Sequence, residues 1–382
     1  MRARWYRGLW LGLLLGGTVA SPARAETQPP ITIHYIGDLI ADAAGGRARG
    51  VDVMSRLDVG LASGDRLFGI DGVHAQAEVM LLAGGGFSAE RSGDYQVASD
   101  IDAPHAIRPY EIWVEAPLST SARIKAGLID LNNDFDVQGV GGLFLNSSFG
   151  IGPDLSQSGP NGPSIFPVTA PGLELGYQPP GWSARLGVFD ARAGDPDHPH
   201  RAFPDSFGAD GVLLIGEGHA DLGARVAVQA GVWTYSEQAP RIGRPGRGAS
   251  AGGYAMIEVR LLDGDQGRAL RAWLRGGGAS AATNPIGAYL GGGLTWGNDA
   301  AQFGAAVAHA RLGDPARRAG AVDDRPAYRA ETAIEATARW RVWRGVALQP
   351  DAQYIIHPSW SRAIPNAVVL ALRFDWTWLV AR

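Results

Sequence analysis

The chain has 382 residues, a formal net charge of −4, 54 glycines, 24 prolines and no cysteine. The lack of cysteine excludes a disulfide framework, a thiolate metal site and a cysteine nucleophile. Hydrophobic residues make up 46%, which excludes a disordered chain, yet after Ala20 no apolar run approaches the ~18 residues of a transmembrane helix.

The first 25 residues have the pattern of an export signal. Arginines charge the N-terminus, residues 8–20 form a short apolar stretch, and Ala23-Arg24-Ala25 fits a signal-peptidase site. The apolar stretch is too short to span a bilayer, so we expect cleavage before Glu26 rather than an N-terminal anchor. Without four arginines the mature chain keeps 30 basic and 38 acidic residues, a balance that does not favour nucleic acid as a partner.

From residue 31 onward, hydrophobic and polar residues alternate, which predicts strands rather than helices. In residues 51–61, valines and leucines at odd positions alternate with residues that include Asp52, Arg56 and Asp58. Residues 368–378 repeat the pattern near the C-terminus. Strands of about ten residues are long enough to cross a membrane when tilted.

Sixteen segments carry this pattern: 31–38, 51–62, 73–83, 109–116, 122–129, 172–178, 182–190, 212–220, 224–235, 251–262, 269–279, 287–296, 301–311, 326–342, 346–357 and 366–378. Odd-numbered connections are predicted to be long loops, such as 84–108, 130–171, 191–211 and 312–325. Even-numbered ones are predicted to be tight turns, such as 117–121, 179–181, 221–223, 263–268, 297–300 and 343–345. This rhythm predicts an all-β fold, a transmembrane antiparallel barrel of about 16 strands forming one domain over residues 26–382.

Aromatic residues give an independent indication of a membrane barrel. Seven of them lie beside the predicted short turns, as an interfacial aromatic girdle requires: Tyr177, Trp182, Trp296, Trp340, Trp343, Trp376 and Trp378. The alternative is a soluble sandwich or barrel, but one sheet of this length would need a second hydrophobic layer that the sequence does not supply. The predicted export signal and the alternating strand pattern together favour a location in the outer membrane of a Gram-negative cell.

If the apolar face of each strand contacts lipid, the alternate positions face the interior, and they hold charges of both signs. The candidate pore-lining residues are Glu111, Trp113, Glu115, Arg123, Lys125, Arg185, Arg225, Glu258, Arg260, Arg271, Arg329 and Glu331. Buried charges must be paired or hydrated, so this density predicts a water-filled channel. Lys125 is the only lysine. Arginine's five donors suit hydroxyl-rich ligands, although a GC-rich genome explains the bias equally well.

The connection 130–171 is long for a loop without a function. It is rich in Gly and Pro yet carries apolar residues that water would not accommodate. We therefore predict that it folds into the barrel and narrows the pore. The candidate constriction residues are Asp130, Asn132, Asp134, Asp136, Phe144, Asn146, Phe149 and Asp154.

Three stretches of this region resemble the carbohydrate-selective outer-membrane porins of the OprB family. They are residues 127–136 (GLIDLNNDFD), 143–157 (LFLNSSFGIGPDLSQ) and 162–169 (GPSIFPVT), and similarity continues at residues 188–196, 210–217 and 349–358. The resemblance extends over nearly all of the mature chain. It implies a sixteen-stranded barrel that passes monosaccharides such as glucose through a constriction lined by arginine and glutamate.

Three weaker motifs are not assigned a function. Residues 248–252 match G-x-S-x-G but lie in a Gly-rich loop, not between a strand and a helix. The acidic run 130–136 resembles a calcium loop, but Phe135 and Gly141 stand where an EF-hand needs Gly and Glu, so loop capping is the preferred role. His198-Pro-His200 is expected to be solvated. We expect no metal and no cofactor.

The leading functional hypothesis is a passive channel rather than an enzyme. Sugar hydroxyls would exchange water for hydrogen bonds to arginines and carboxylates, and rings such as Phe144, Phe149 or Trp113 would stack on the apolar faces of the sugar. A non-selective porin and an outer-membrane barrel enzyme such as a lipid hydrolase remain as alternatives. Expected partners are small sugars, outer-membrane lipid and the barrel assembly machinery, and the sequence leaves monomer and homotrimer open.

Overall fold

The computed structural model describes residues 31–64, 66–194, 207–321 and 325–380. The predicted export signal and His198-Pro-His200 lie outside these ranges. Sixteen antiparallel strands form a closed barrel, in which the first strand pairs with the last. Among the described residues, no helix has the length and apolar character needed to cross a bilayer.

The strands cover the barrel in sequence order. Their bounds are β1 (Ile31–Ala44), β2 (Gly50–Ala62), β3 (His74–Ala83), β4 (Ala106–Pro117), β5 (Ala122–Ile129), β6 (Ala170–Tyr177), β7 (Trp182–Asp190), β8 (Val212–Asp221), β9 (Val226–Tyr235), β10 (Ala251–Asp263), β11 (Ala269–Ala279), β12 (Ile286–Asn298), β13 (Ala301–Leu312), β14 (Ala330–Trp343), β15 (Val346–Ile356) and β16 (Ala367–Val380).

All sixteen predicted segments are strands. The predicted alternation of long and short connections holds from the third connection onward. The first two connections reverse it, since residues 45–49 form a short link and residues 63–73 a longer one. Strand β1 also continues six residues beyond its predicted end at residue 38. Ile40 explains the error, because this apolar side chain points inward and is fully buried, which interrupts the polar pattern of the inner face.

Short helices occur only in the connections of the described chain. They include a π-helix (Ser88–Ser92), 3₁₀ turns, and two short α-helices, α1 (Pro153–Ser156) and α2 (Asp314–Ala319). Two small hairpins, with strands of two residues each, lie within the loops that follow β2 and β9. The connections thus carry local structure of their own, which matters for the two that fold inward.

Large apolar side chains cover the outer wall of the barrel. Val53, Leu186 and Val232 are each more than 60% exposed, and similar residues recur on the outer face of most strands. A soluble protein rarely exposes so large an apolar surface. Aromatic pairs follow near the short turns, including Tyr177–Trp182 at 5.6 Å between ring centroids and Phe303–Trp340 at 5.7 Å. These features match a lipid-facing belt with an aromatic border.

The two faces of β3 allow a direct test of this orientation. Val79 points outward and is 42% exposed, whereas Gln76 points inward on the same strand. We expect Val79→Arg to destabilise the folded barrel by about 2–4 kcal/mol, the cost of an arginine on the lipid face near the bilayer centre. Gln76→Arg, the matched control, should change stability little. Reversible urea unfolding in lipid vesicles measures both, and equal effects would contradict the assignment of faces.

Candidate functional site

Two connections, not one, fold into the barrel. One is the constriction loop (130–169), whose inward fold was predicted from sequence with bounds 130–171. The other is the entry loop (84–105), which was predicted only as a long connection, 84–108. The loops contact each other through backbone hydrogen bonds from Asp100 N to Leu145 O (2.8 Å) and from Ser147 N to Val97 O (2.9 Å). Two hydrogen-bonded loops therefore occupy part of the interior.

Aromatic side chains pack the constriction loop against the inner wall. Phe144 and Phe149 lie 5.3 and 5.9 Å from Trp273 of β11 between ring centroids. Two strands away on β13, the absence of a side chain at Gly304 makes room for Phe144, since a β-carbon there would lie 2.6 Å from the Phe144 ring. Both phenylalanines are at most 3% exposed. The prediction that they stack on a sugar is therefore wrong, because neither ring presents a free face.

Carboxylates of the wall bind the backbone amides of both loops. Glu335 accepts from Leu145 N (2.6 Å) and Asn146 N (3.0 Å), and Glu258 accepts from Val140 N (2.8 Å). Glu331 accepts from two entry-loop amides and from Ser359 N. Loop amides removed from water must find partners. Glu331 was predicted to line the pore, but it is fully buried and acts as an anchor.

The centre of the constriction loop is held by one arginine that has no exposed surface. Arg275 of β11 donates to Asp136 through Nε (3.0 Å) and Nη2 (2.8 Å), and Nη1 donates to Asp154. Its guanidinium lies 4.9 Å from the Tyr254 ring centroid and 5.4 Å from that of Tyr289. Burial raises the pKa of Asp136, and Arg275 opposes that shift. This cluster binds the loop to the wall.

Removing the cation from this cluster should be costly. We expect Arg275→Met to lower the free energy of unfolding by about 3–5 kcal/mol, since two buried carboxylates lose their counter-charge. The triple variant Arg275→Met, Asp136→Asn, Asp154→Asn removes all three charges and should recover most of that loss. Denaturant unfolding of purified barrels measures both variants. If the triple variant is as unstable as the single one, charge compensation is not what Arg275 supplies.

The constriction loop begins at a second buried cluster. Asp130 Oδ1 accepts from Asn132 N (2.8 Å), and Oδ2 accepts from the Tyr110 hydroxyl. Glu111 of β4 accepts from Asp130 N (3.0 Å) and from Asn133 Nδ2 (3.2 Å). Burial, together with the neighbouring Glu111 carboxylate, raises the pKa of Asp130 to about 6. Glu111, predicted as a pore-lining residue, is fully buried and fixes the start of the loop.

The raised pKa of Asp130 predicts a pH dependence of loop docking. The docked loop retains a proton that a free aspartate releases near pH 4, so docking weakens as the pH rises from about 4 to about 6. We expect open-channel current noise to increase over this range. Asp130→Asn keeps an acceptor for Asn132 N but cannot titrate, so its noise should be independent of pH. Equal pH dependence in both proteins would exclude Asp130 as the cause.

Asp134 connects the constriction loop to charged groups of the pore wall. Lys125 Nζ donates to its Oδ2 (2.7 Å), and Arg185 Nη1 donates to its backbone oxygen (2.7 Å). Burial works against ionisation, but Lys125 and Arg185 prevail and lower the pKa of Asp134. Lys125 also lies 4.7 Å from the centroid of the Trp113 ring. One predicted stacking ring is thus partly covered by a cation.

A cavity of about 510 Å³ lies between this part of the loop and the wall formed by β7 to β10. It reaches the turn that joins β6 to β7. Its polar lining includes acids, bases and neutral donors: Asn133, Asp134, Arg185, Glu217, His219, Asp221, Gln229 and Glu258. Two of these carboxylates also hold loop amides, Glu217 for Asp136 (2.8 Å) and Glu258 for Val140 (2.8 Å). The cavity offers hydrogen-bonding groups of both kinds to a polar solute.

Other predicted pore residues lie near the short turns. Arg123 and Glu115 form an ion pair (2.8 Å) on the inner wall and keep part of their surface exposed. Arg225 and Arg260 share Asp263, at 2.6 and 2.5 Å. Arg225 and Arg260 therefore mark the rim rather than the constriction, whereas Arg123 lies on the inner wall.

Two further arginines were predicted to line the pore. Arg271 stands directly opposite Arg260 in the sheet register. Arg329 is exposed and lies immediately before β14, and its role in lining the pore stays a prediction.

The remaining predicted loop residues shape the loop itself. Asn132 Nδ2 donates to the backbone oxygens of Phe135 (3.1 Å) and Asp136 (3.3 Å), and Asn146 caps a 3₁₀ turn while contacting Gln353 (3.2 Å). The acidic run 130–136 thus caps short turns within the constriction loop and anchors the loop to the barrel wall. Within the described residues, no cluster of three or more histidine, aspartate or glutamate side chains is arranged to hold a metal ion.

The predicted site omitted three residues that the fold brings to the loops. Arg275 and Glu217 anchor the constriction loop, and Arg56 lies between the Tyr110 and Phe166 rings, 5.0 and 4.9 Å from their centroids. Alternation alone places Arg56 and Arg275 on the inner face. The local pattern carries no signal for their partners in the loops.

Comparison with known proteins agrees with this architecture. The profile of the family described as "Carbohydrate-selective porin, OprB family" matches residues 62–378. The chain belongs to the OprB family. No significant match to a curated protein is found.

OprB from Pseudomonas putida has a similar fold. Its high-pH structure aligns with a TM-score of 0.81 at 16% identity, over 92% of this chain and 94% of that one. Its low-pH structure gives a TM-score of 0.54 at 13% identity, over 92% and 93% of the two chains. A mutant of the Rh. blastica porin aligns with a TM-score of 0.54 at 13% identity, over 91% and 99%. The predicted barrel and family are confirmed, and both imply a channel in the outer membrane.

Proposed function

We propose that this OprB-family porin carries monosaccharides across the outer membrane by passive diffusion, past the cavity beside Asp134. The observation that supports this most directly is the lining of that cavity. Arg185, Glu217 and Glu258 place donors and acceptors of opposite charge around a space of about 510 Å³. A sugar offers hydroxyl groups that can both donate and accept, so such a lining can replace its hydration shell.

Some charged groups in and beside the cavity form ion pairs, which suits a neutral solute. Asp134, which lines the cavity, is held by Lys125 (2.7 Å), and outside the lining, nearer the short turns, Arg123 is held by Glu115 (2.8 Å). Paired charges produce a weak net field, so they give ions little advantage over neutral molecules. They still present hydrogen-bonding atoms that bind hydroxyls, and conduction requires that each such contact is weak enough to break.

The two inward loops support selectivity over a general diffusion pore. Asp100 N and Ser147 N tie the loops together across the interior, so a solute must pass beside them rather than through an open lumen. An outer-membrane lipid hydrolase would need a nucleophile or base facing lipid beside a carboxylate. His309, which lies on the outer face, is instead hydrogen-bonded to Thr332 Oγ1 (2.8 Å).

Liposome swelling tests the proposal. Full-length barrels reconstituted in vesicles should admit glucose faster than a neutral amino acid of similar size, and a disaccharide most slowly. Equal rates for glucose and the amino acid would favour a non-selective porin. Phospholipid hydrolysis by the purified barrel would overturn the channel assignment.

Arg123 provides a second test, at the level of one residue. We expect Arg123→Ala to leave assembly intact, to weaken glucose block of the ion current several-fold and to shift the reversal potential toward cation selectivity, since Glu115 then lacks its partner. Arg225→Ala is the matched control, because Arg225 also pairs with a carboxylate but at the exposed rim. Wild-type flux, block and reversal potential in Arg123→Ala would remove Arg123 from the recognition site.

A further inference from the structure

An arginine-rich surface occupies the long-loop end of the barrel above β9 to β14. It consists of six arginines: Arg241, Arg244, Arg247, Arg311, Arg317 and Arg318. The hairpin that carries the first three lies against α2, since a β-carbon on Gly243 would lie 3.6 Å from the Ala319 Cβ. Two loops that are separate in sequence therefore present one basic surface.

Few carboxylates neutralise these arginines in the described parts of the chain. Arg317 Nε lies 3.5 Å from Asp314 Oδ1. Arg241 donates to the Arg247 backbone oxygen (2.9 Å), and Arg247 in turn donates to a carbonyl oxygen. Asp323 and Asp324 follow α2 in the sequence but lie outside the described residues. Hydrogen bonds to carbonyl oxygens leave the positive charge in place, so this surface is basic on a chain whose net charge is negative.

The surface begins where the lipid-facing belt ends. Along the outer face of β13, exposed Val307 is followed by His309 and then by Arg311. Val307 shares a rung of the sheet with Ile334 and with Tyr354, an outward tyrosine of the kind found at membrane interfaces. Arg311 is four residues further along the strand, about 13 Å at the usual strand rise. This places its guanidinium at the depth of lipid headgroups.

The neighbours of Arg311 leave it accessible. Its partners in the sheet register are Ala288 on β12 and Ala330 on β14, both too small to cover a guanidinium. Arg244 and Arg318 are exposed as well. Planar guanidinium groups bind phosphate oxygens through paired hydrogen bonds, and several together hold an anionic headgroup more tightly than one.

We propose that this arginine surface binds the phosphate groups of a phosphorylated glycolipid in the membrane leaflet that surrounds the long-loop end of the barrel. The proposal depends on the outer-membrane location of the chain and not on which solute it passes. Lipid phosphates fit the observations better than a soluble anion, because Arg311 lies on the lipid-facing wall rather than over the lumen.

Native mass spectrometry of the detergent-purified full chain tests this proposal. The probes are lipid A with both phosphates and lipid A from which they have been removed. The wild-type protein should bind the phosphorylated form, and Arg244→Gln combined with Arg318→Gln should weaken that binding about 30-fold, given the contribution of each arginine near an anionic surface. Arg268→Gln combined with Arg344→Gln removes two exposed arginines from the short turns and should bind as the wild type does.

Besides unchanged lipid binding in the Arg244/Arg318 variant, three results would overturn the proposal. One is equal binding of phosphorylated and dephosphorylated lipid A, and another is an equal loss in the Arg268/Arg344 control. The third is displacement of the lipid by inorganic phosphate at a matched phosphate concentration, which would indicate a site for small anions. Glucose flux, measured in parallel, should be unchanged in the Arg244/Arg318 variant. If the Arg244/Arg318 variant shows reduced glucose flux but unchanged lipid binding, these arginines act in solute entry instead. If the wild-type protein binds the lipid but does not pass glucose, only the proposed transport is contradicted.

Discussion

A polypeptide loop folded inside a closed barrel must satisfy its backbone amides without bulk water, and much of this structure follows from that constraint. The wall supplies acceptors because alternation places a polar side chain at every second position. Glu217, Glu258, Glu331 and Glu335 each accept from loop amides. An unpaired buried amide is costly, so these carboxylates determine where the loops can lie. The charge density that suggested a water-filled pore is thus used in part to build the plug that narrows it.

Buried carboxylates of the wall and of the loops would be costly without compensation, and the structure compensates them in two ways. Some accept several amide hydrogen bonds, as Glu331 does, and others face a cation, as Asp136 and Asp154 face Arg275. The amide hydrogen bonds fix the backbone of the loops. The ion pairs fix the Arg275 cluster, whose guanidinium lies near the rings of Tyr254 and Tyr289. Both rigidify the loops. A rigid constriction can present Asp134, Lys125 and Arg185 at defined positions, which selectivity among small neutral solutes requires.

The distribution of charged side chains therefore differs between the lumen, the long-loop rim and the lipid-facing wall of the barrel. In the lumen, acidic and basic groups are interspersed and some form ion pairs, such as Lys125 with Asp134, which favours weak contact with neutral hydroxyl-bearing molecules. At the long-loop rim, arginines cluster with few carboxylates among the described residues nearby, which favours contact with anions. The lipid-facing wall between them is apolar, as the exposure of residues such as Val53 and Leu186 shows. One sheet with a period of two supports all three environments because its faces are chemically independent.

Most of the barrel could be predicted from sequence because each residue's face depends on local geometry alone. Successive side chains point to opposite faces of a strand, so the pattern identified sixteen strands, their lipid side and the length of most connections. The pattern failed at β1, where apolar Ile40 faces the interior, because a loop and not water covers it. The unusual length and apolar content of residues 130–171 were also sufficient to predict an inward fold, since such a segment has nowhere else to bury its phenylalanines.

The site itself was decided by tertiary structure. Arg275 meets Asp154 and Asp136 across 121 and 139 residues of chain, and no local pattern encodes such pairs. The entry loop gave no sequence signal because its inward fold depends on acceptors supplied by distant strands, such as Glu331. Phe144, Phe149 and Glu111 were assigned to the pore from residue type, yet packing buried them. The alternation of a strand is a local property, whereas burial inside a barrel depends on which other segments enter the same space.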